Sequence, residues 1–248
     1  MLEMDFKNQT VIVTGATRGI GKAIADLFSE SGARLILTGT KQEVVEKLNK
    51  DQLNENIKYF PVNFNERNSV DRFFSELEAY PKLDVCINNA GINIIDDFID
   101  TKEEDFDQIL NINLKGPYLL SRYVSKRMRE QNYGRIINIA SIWSEITRPK
   151  RSLYTTTKNA LYGLTKTMAI ELAQFDVIVN SVSPGFTLTE LTHSTNTADE
   201  IKQISSAIPI KRMADPVEVA RVVLFLASKI NTYIVGQNII VDGGYTNV

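Results

Sequence analysis

A chain of 248 residues is long enough for one large α/β domain with a sizeable core. Its 43% hydrophobic and 23% charged residues are ordinary for a globular protein, and a formal charge of −2 gives no electrostatic basis for binding nucleic acid or an anionic membrane. A single cysteine (Cys86) excludes an internal disulfide, and a single histidine (His193) argues against a histidine-based triad or a multi-histidine metal site. Cys86 lies in the apolar run LDVCINNA and reads as a small buried hydrophobe, while His193 reads as surface. The opening MLEMDFKNQT has no apolar core of a secretory signal, and no stretch approaches the roughly 20 apolar residues of a membrane span, so a cytoplasmic protein is expected.

Residues 10–14 (TVIVT) read as a short buried strand running into Gly15-Ala-Thr-Arg-Gly19-Ile-Gly21, after which Ile24, Leu27 and Phe28 keep helical spacing. Strand, glycine turn and helix is the layout in which a backbone approaches a pyrophosphate at a helix N-terminus. The spacing is G-x-x-x-G-x-G rather than G-x-G-x-x-G, so a plain tight turn is the competing reading. Residues 34–38 form the second strand, followed by Gly39-Thr40-Lys41. An acidic residue at the end of this strand would hold the adenosine ribose hydroxyls, and none is present. Arg18, Thr40 and Lys41 instead offer cations and a hydroxyl to a 2′-phosphate, which favours NADP(H) and leaves NAD(H) as the alternative.

Residues 57–62 are a third strand, and Asn63-Phe64 after it could flank an adenine. Val70, Phe73, Phe74 and Leu77 mark an amphipathic helix, and residues 83–87 a fourth strand ending in Asn88-Asn89-Ala90-Gly91. A long helical pattern covers 103–130, with Asn111 and Asn113 in its middle and Gly116-Pro117 just beyond, which predicts a kink or bulge there. Residues 135–139 are the fifth strand, and Ser141 follows it. From Leu153 to about Ala173 helical spacing resumes, placing Tyr154 and Lys158 one turn apart on one face. A tyrosine of pKa about 10 is a poor acid at neutral pH. A nearby ammonium favours phenolate and suits the phenol to donate a proton to a developing alkoxide.

The sixth strand, 177–182, ends at Ser183-Pro184-Gly185. Residues 186–211 are polar, with one short helical candidate at 200–205, and read as a mobile substrate lid beyond a strand's C-terminal end. An apolar helix at 216–228 and a last strand at 238–241 precede Asp242-Gly243-Gly244. Strand and helix alternate without a linker. The expectation is one domain over 1–248, a Rossmann-type doubly wound parallel sheet of about seven strands with helices on both faces.

In order and spacing, TGATRGIG (14–21), NNAG (88–91), NINLKG (111–116), Ser141, YTTTK (154–158), SPG (183–185) and VDGG (241–244) resemble the short-chain dehydrogenase/reductase family over essentially the whole chain. The resemblance implies a catalytic set of Asn113, Ser141, Tyr154 and Lys158; Asn113 rather than Asn111 matches because it directly precedes Leu114. It implies Tyr154 as proton donor, Ser141 holding the carbonyl oxygen, Lys158 tuning the phenol and binding the nicotinamide ribose, and Asn113 keeping a relay water. Cofactor contacts then fall on Gly15, Thr17, Arg18, Gly19, Ile20 and Gly21, and on Thr40, Lys41, Asn63 and Phe64. Further contacts are implied at Asn89, Ala90 and Gly91, at Tyr154 and Lys158, and at Pro184, Gly185 and Thr187. Trp143, Glu145, Arg151, Phe186 and Glu190 are expected to line the substrate pocket, and no metal is implied.

Within the family the chain is most similar to bacterial 3-oxoacyl-(acyl-carrier-protein) reductases. This implies a small carbonyl or alcohol substrate such as a 3-oxoacyl thioester, and a homotetramer built through the long helices. Basic residues for docking an acidic carrier are expected at the positions of Asn132 and Phe175, and neither is basic, so acyl carrier protein is the weaker partner. A sugar, polyol or cyclic alcohol is the alternative substrate, and a dinucleotide-binding regulator without turnover the third reading. Arg148, Lys150 and Arg151 read as a solvated turn, against a competing role in facing an anionic small substrate.

Overall fold

Central strands that are covered by helices on both faces carry near-continuous apolar runs. In the computed structural model, which describes residues 4–248 apart from the side chains of Leu191, His193 and Thr195, the runs become seven such strands. The surface reading of His193 therefore lies outside the described residues, as do Met1, Leu2 and Glu3 of the opening segment. The strands are β1 (Thr10–Val13), β2 (Arg34–Gly39), β3 (Ile57–Pro61), β4 (Val85–Asn88), β5 (Gly134–Ile139), β6 (Val177–Pro184) and β7 (Asn238–Val241). All pair in parallel, in the order β3-β2-β1-β4-β5-β6-β7.

Alternation along each strand divides the core. Val11 and Val13 of β1 pack into the layer under α1 (Gly19–Glu30) and α9 (Pro216–Ala227). Ile12 between them joins the opposite layer, under α3 (Arg67–Leu77), α5 (Gly116–Gln131) and α6 (Ser152–Leu172). Cys86 is fully buried in that second layer, and burial pushes its thiol pKa up, consistent with an inert small hydrophobe.

Four helices complete the fold: α2 (Gln42–Asp51), α4 (Glu103–Leu110), α7 (Glu190–Thr195) and α8 (Ala198–Ala207). Helix α2 is not among the elements expected from the sequence, and its short apolar stripe of Val44, Val45 and Leu48 has Val45 as its one buried residue among the described ones. Residues 186–211 hold two helices where the polar pattern suggests only one at 200–205. The first, α7, starts on the Thr189 hydroxyl, which accepts the Thr192 N–H at 3.2 Å; α8 begins with a reciprocal Thr197–Glu200 capping box.

The expected bulge between Asn111 and Pro117 is a π turn over Asn111–Lys115. Pro117 has no N–H to give the Asn113 carbonyl four residues back, and its ring would crowd that carbonyl. The Gly116 N–H reaches instead to the Asn111 carbonyl, five residues back. Beneath this turn a buried polar chain ties sheet to helices. The Asn88 amide donates to Ser121 Oγ and Asn138 Oδ1, both at 2.8 Å, and the Asn138 amide donates to Thr165 Oγ1 at 2.8 Å. Asn138→Ala should therefore lower unfolding free energy by about 1–3 kcal/mol, the cost of leaving buried partners unpaired. Urea titration measures it, and an unchanged midpoint would contradict the assignment.

Candidate active site

Strand order runs outward in opposite directions from β1 and β4, which leaves a crevice at their C-terminal ends. Two side chains lash the crevice. Thr14 Oγ1 accepts the N–H groups of Asn89 and Ala90 at 2.9 and 3.0 Å. The Asn89 amide in turn donates to the carbonyls of Thr14 and Gly15 at 2.9 and 3.1 Å. Gly15 has φ +65°, and a Cβ there would lie 2.9 Å from Ala90 Cα. A Cβ on Gly21 would lie 2.2 Å from the Gly15 carbonyl oxygen, so helix and turn touch with no side chain between them.

This turn fits a dinucleotide. Arg18 enters α1 in extended backbone without a side-chain cap, leaving first-turn N–H groups for a phosphate. Thr17 packs against Gly39, whose Cβ would lie 2.5 Å from Thr17 Cγ2, and this contact brings the neighbouring Arg18, Thr40 and Lys41 into one region. All three are exposed, and among the described residues neither Arg18 nor Lys41 forms an ion pair. Ile20 packs at the edge of the core behind the turn. The Asn63 side chain is used within its own turn, donating to Glu66 at 2.6 Å, and Phe64 packs against Gly116 at the start of α5.

Across the crevice, Asn113 is 1% exposed and grips the backbone of Ile92 from both sides. Its Oδ1 accepts the Ile92 N–H at 2.8 Å, and its Nδ2 donates to the Ile92 carbonyl at 2.9 Å and to Thr157 Oγ1 at 3.2 Å. A Cβ at Gly91 would meet Asn113 Oδ1 at 3.3 Å and Lys158 Nζ at 3.6 Å, so both groups face the same point. Lys158 is buried, and its Nζ donates to the Ile139 carbonyl at 2.7 Å. Burial lowers its pKa from 10.5 to about 8. Its Nζ lies 5.4 Å from the Tyr154 ring centroid, and the Tyr154 phenol is hydrogen-bonded with Ser141.

The electrostatics depart from the expectation that Lys158 draws the phenol pKa down. Burial raises it, and the Ser141 hydrogen bond and the charge of Arg151 offset only part of that rise. Arg151 is the charge that lowers it, and Lys158 Nζ stands beside the ring. A second correction concerns the same residue. Lys150 and Arg148 are exposed, and Lys150 pairs with Asp97 at 3.0 Å, as a solvated turn would have it. Arg151 is instead buried, because the turn folds it against Trp143, whose ring centroid is 6.0 Å from its Cζ.

Trp143 and Phe186 meet edge to face at 6.3 Å, and Phe186 meets Tyr245 in the same way at 5.1 Å, which gives the site an aromatic wall. Gly185 abuts Asp242, and Thr187 is buried with its hydroxyl on the Gly185 carbonyl at 3.1 Å. A Cβ at Gly19 would touch Thr189 at 3.4 Å, so the start of α7 lies over the glycine turn. Two expected pocket residues are not gathered in. Glu145 is held by the Asn238 amide at 2.8 Å, and Glu190 is exposed at the start of α7. Sequence reasoning passed over Thr14, Thr157 and Tyr245. Thr14 and Thr157 stand inside the TGATRGIG and YTTTK segments without having been given a role there, and Tyr245 directly follows the VDGG segment.

A family model described as enoyl-(acyl carrier protein) reductase matches residues 15–246. The chain belongs to the short-chain dehydrogenase/reductase family. It is similar to the 3-oxoacyl-[acyl-carrier-protein] reductase FabG of Rickettsia bellii, with 38% identity over 242 residues covering 97% of this chain and 98% of that one. It is also 33% identical over 245 residues to the NAD-dependent glycerol dehydrogenase of Listeria innocua, covering 98% and 96%. The solved structure of ElxO with NADP bound superposes with a TM-score of 0.90 at 32% identity, covering 97% of this chain and 99% of that one. As a short-chain dehydrogenase/reductase the protein is an oxidoreductase enzyme. Among the described residues no helix is long and apolar enough to cross a membrane.

Lysine burial gives this short-chain dehydrogenase/reductase a pH signature. Between pH of about 8 and 10.5 the unfolded chain holds a proton on Lys158 that the folded protein does not, so this group adds stability as pH rises through that window. The difference in unfolding free energy between wild type and Lys158→Met should rise across the same range without cofactor. Urea titrations at several pH values test it, and a flat difference would contradict the lowered pKa.

Proposed function

We propose that this enzyme uses NADP(H) to interconvert a small-molecule ketone and a secondary alcohol, working as a reductase with Tyr154 as the proton donor. The reading rests chiefly on one arrangement: the Tyr154 phenol bound to Ser141, with Lys158 Nζ at 5.4 Å from its ring and both Lys158 and Asn113 facing Gly91. When bound, NADPH supplies the hydride. Ser141 holds the carbonyl oxygen, and Tyr154 gives that oxygen its proton as negative charge builds on it. The phenolate left behind is stabilised by Lys158, which with a pKa of about 8 is largely protonated at neutral pH. Asn113 fixes Ile92 beside Gly91 and so sets the floor under the reacting groups.

The first-turn N–H groups of α1 take the pyrophosphate, with Asn89, Ala90 and Gly91 lining the opposite bank. Arg18, Thr40 and Lys41 take the 2′-phosphate, and Pro184, Gly185 and Thr187 flank the nicotinamide end. NADP(H) is favoured over NAD(H) because this region carries exposed cations and no carboxylate at the end of β2. Residues 186–211, with α7 over the glycine turn, act as the lid.

A free small molecule suits this site better than a carrier-bound thioester. Seven carboxylates fall within residues 96–107 (Asp96, Asp97, Asp100, Glu103, Glu104, Asp105 and Asp107), and the Lys150–Asp97 pair ties that loop to the turn beside Tyr154. Such a rim repels an acidic carrier. A polyol oxidised by the same residues is the second reading, favoured by the 33% identity to a glycerol dehydrogenase. The groove between α5 and α6, lined by Tyr118, Leu164 and Met168 among others, is the surface this reading gives to subunit association.

The test follows NADPH and NADH oxidation in parallel with short 3-oxoacyl thioesters, free ketones and, in reverse, polyols. Tyr154→Phe should keep NADP(H) binding and lose about 100- to 10,000-fold in turnover. Substantial activity in that variant would sink the assignment. Lys41→Asp should cut the NADPH-over-NADH preference by at least about tenfold, the worth of one charge-assisted hydrogen bond. An unchanged ratio would remove Lys41 from phosphate binding.

A further inference from the structure

Arg151 is 8% exposed, and its Nε and Nη1 atoms are shut off from solvent with no hydrogen-bond partner among the described residues. Burying a guanidinium without acceptors or a counter-charge is strongly unfavourable. The Trp143 ring offers its π face but no acceptor. Arg148, 5.3 Å above the same ring, adds a second positive charge rather than a balancing one. Arg151 is also the residue that opens α6, where the positive end of the helix and uncapped N–H groups reinforce its charge. The carboxylate of Glu145, six residues before it, is taken by Asn238. Every local term therefore favours an anion that the described residues do not supply.

The place of this cation decides what the anion is. Arg151 lies one helical turn before Tyr154, with roughly 5–6 Å between side-chain origins at that spacing, and its charge is felt at the phenol. An anion held by Arg151 is thus a few bonds from a carbonyl oxygen held by Tyr154. We propose that Arg151 receives the carboxylate of the substrate, so that the enzyme reduces a short oxo acid to the corresponding hydroxy acid. This rests on the reductase reading above. The carbonyl carbon takes the hydride supplied by NADPH and the oxygen takes the Tyr154 proton. The C=O double bond becomes a C–O single bond with new C–H and O–H bonds, and the carboxylate stays ionised and unchanged on Arg151.

Matched pairs test the proposal: 3-oxobutanoate and 4-oxopentanoate against their methyl esters, with NADPH, on wild type, Arg151→Gln and Lys150→Gln. Wild type should favour the acids in kcat/KM, and Arg151→Gln should reduce the acid-to-ester ratio by at least about 30-fold, mainly through KM for the acids. Lys150→Gln, which removes a positive charge from the exposed part of the same turn, should keep the ratio. Esters reduced as well as acids by wild type, or a ratio that survives in Arg151→Gln, would overturn the proposal while leaving the reductase reading intact.

Calorimetry with 3-hydroxybutanoate on NADP-loaded Tyr154→Phe, with and without Arg151→Gln, separates the two readings if no carbonyl is turned over. Binding lost with Arg151 would uphold the anion site and count against the reductase. Binding equal in both proteins, or absent from both, would overturn the anion site.

Discussion

The lash between Thr14 and Asn89 is the constraint on which the rest of this site depends. It joins the ends of β1 and β4 where the strand order reverses, by four hydrogen bonds of 2.9–3.1 Å from two side chains. With that seam closed, the glycine turn is pressed against Ala90 on one side and α1 on the other. The same seam delivers Gly91 and Ile92 to Asn113, and Asn113 to the neighbourhood of Lys158. Cofactor bank and reacting groups are therefore positioned by one join rather than by two independent sets of contacts.

Asn113 owes its place to a proline four residues on. A regular helix through Pro117 would need an N–H that proline lacks, and the chain answers by widening into a π turn. The widened turn is anchored from outside the helix, by the two-sided grip of Asn113 on Ile92 and by the Thr157 hydroxyl on α6. The Asn88–Asn138–Thr165 chain ties the sheet to α5 and α6, so the irregular helix is braced by buried side-chain hydrogen bonds.

Much of this was legible in the residues themselves. Short apolar runs marked all seven strands, most strongly the inner ones, because central parallel strands are buried on both faces. The Asn-Gly-Pro run gave the irregular turn, because proline removes a specific donor. Helix α2 was passed over, since its apolar stripe is only Val44, Val45 and Leu48 in an otherwise polar segment. Helix α7 was not, since it depends on a threonine cap inside a run rich in other hydroxyls. Electrostatics were the least legible of all. Charges at 148, 150 and 151 look alike in sequence, yet only a folded turn decides which is exposed and which is buried. The rise that burial imposes on the Tyr154 pKa was not legible for the same reason, because desolvation has no sequence signature.

Lys158 and Arg151 together give the molecule an unusual balance. Two cations lie buried about two turns apart, Arg151 at the N-cap of α6 and Lys158 within it, and among the described residues neither is matched by a carboxylate. Any anionic ligand that binds there only in the folded state shifts the folding equilibrium in proportion to its concentration. The lifetime of the protein in a cell would then follow its own metabolites: well supplied it resists proteolysis, and starved of them it is cleared first.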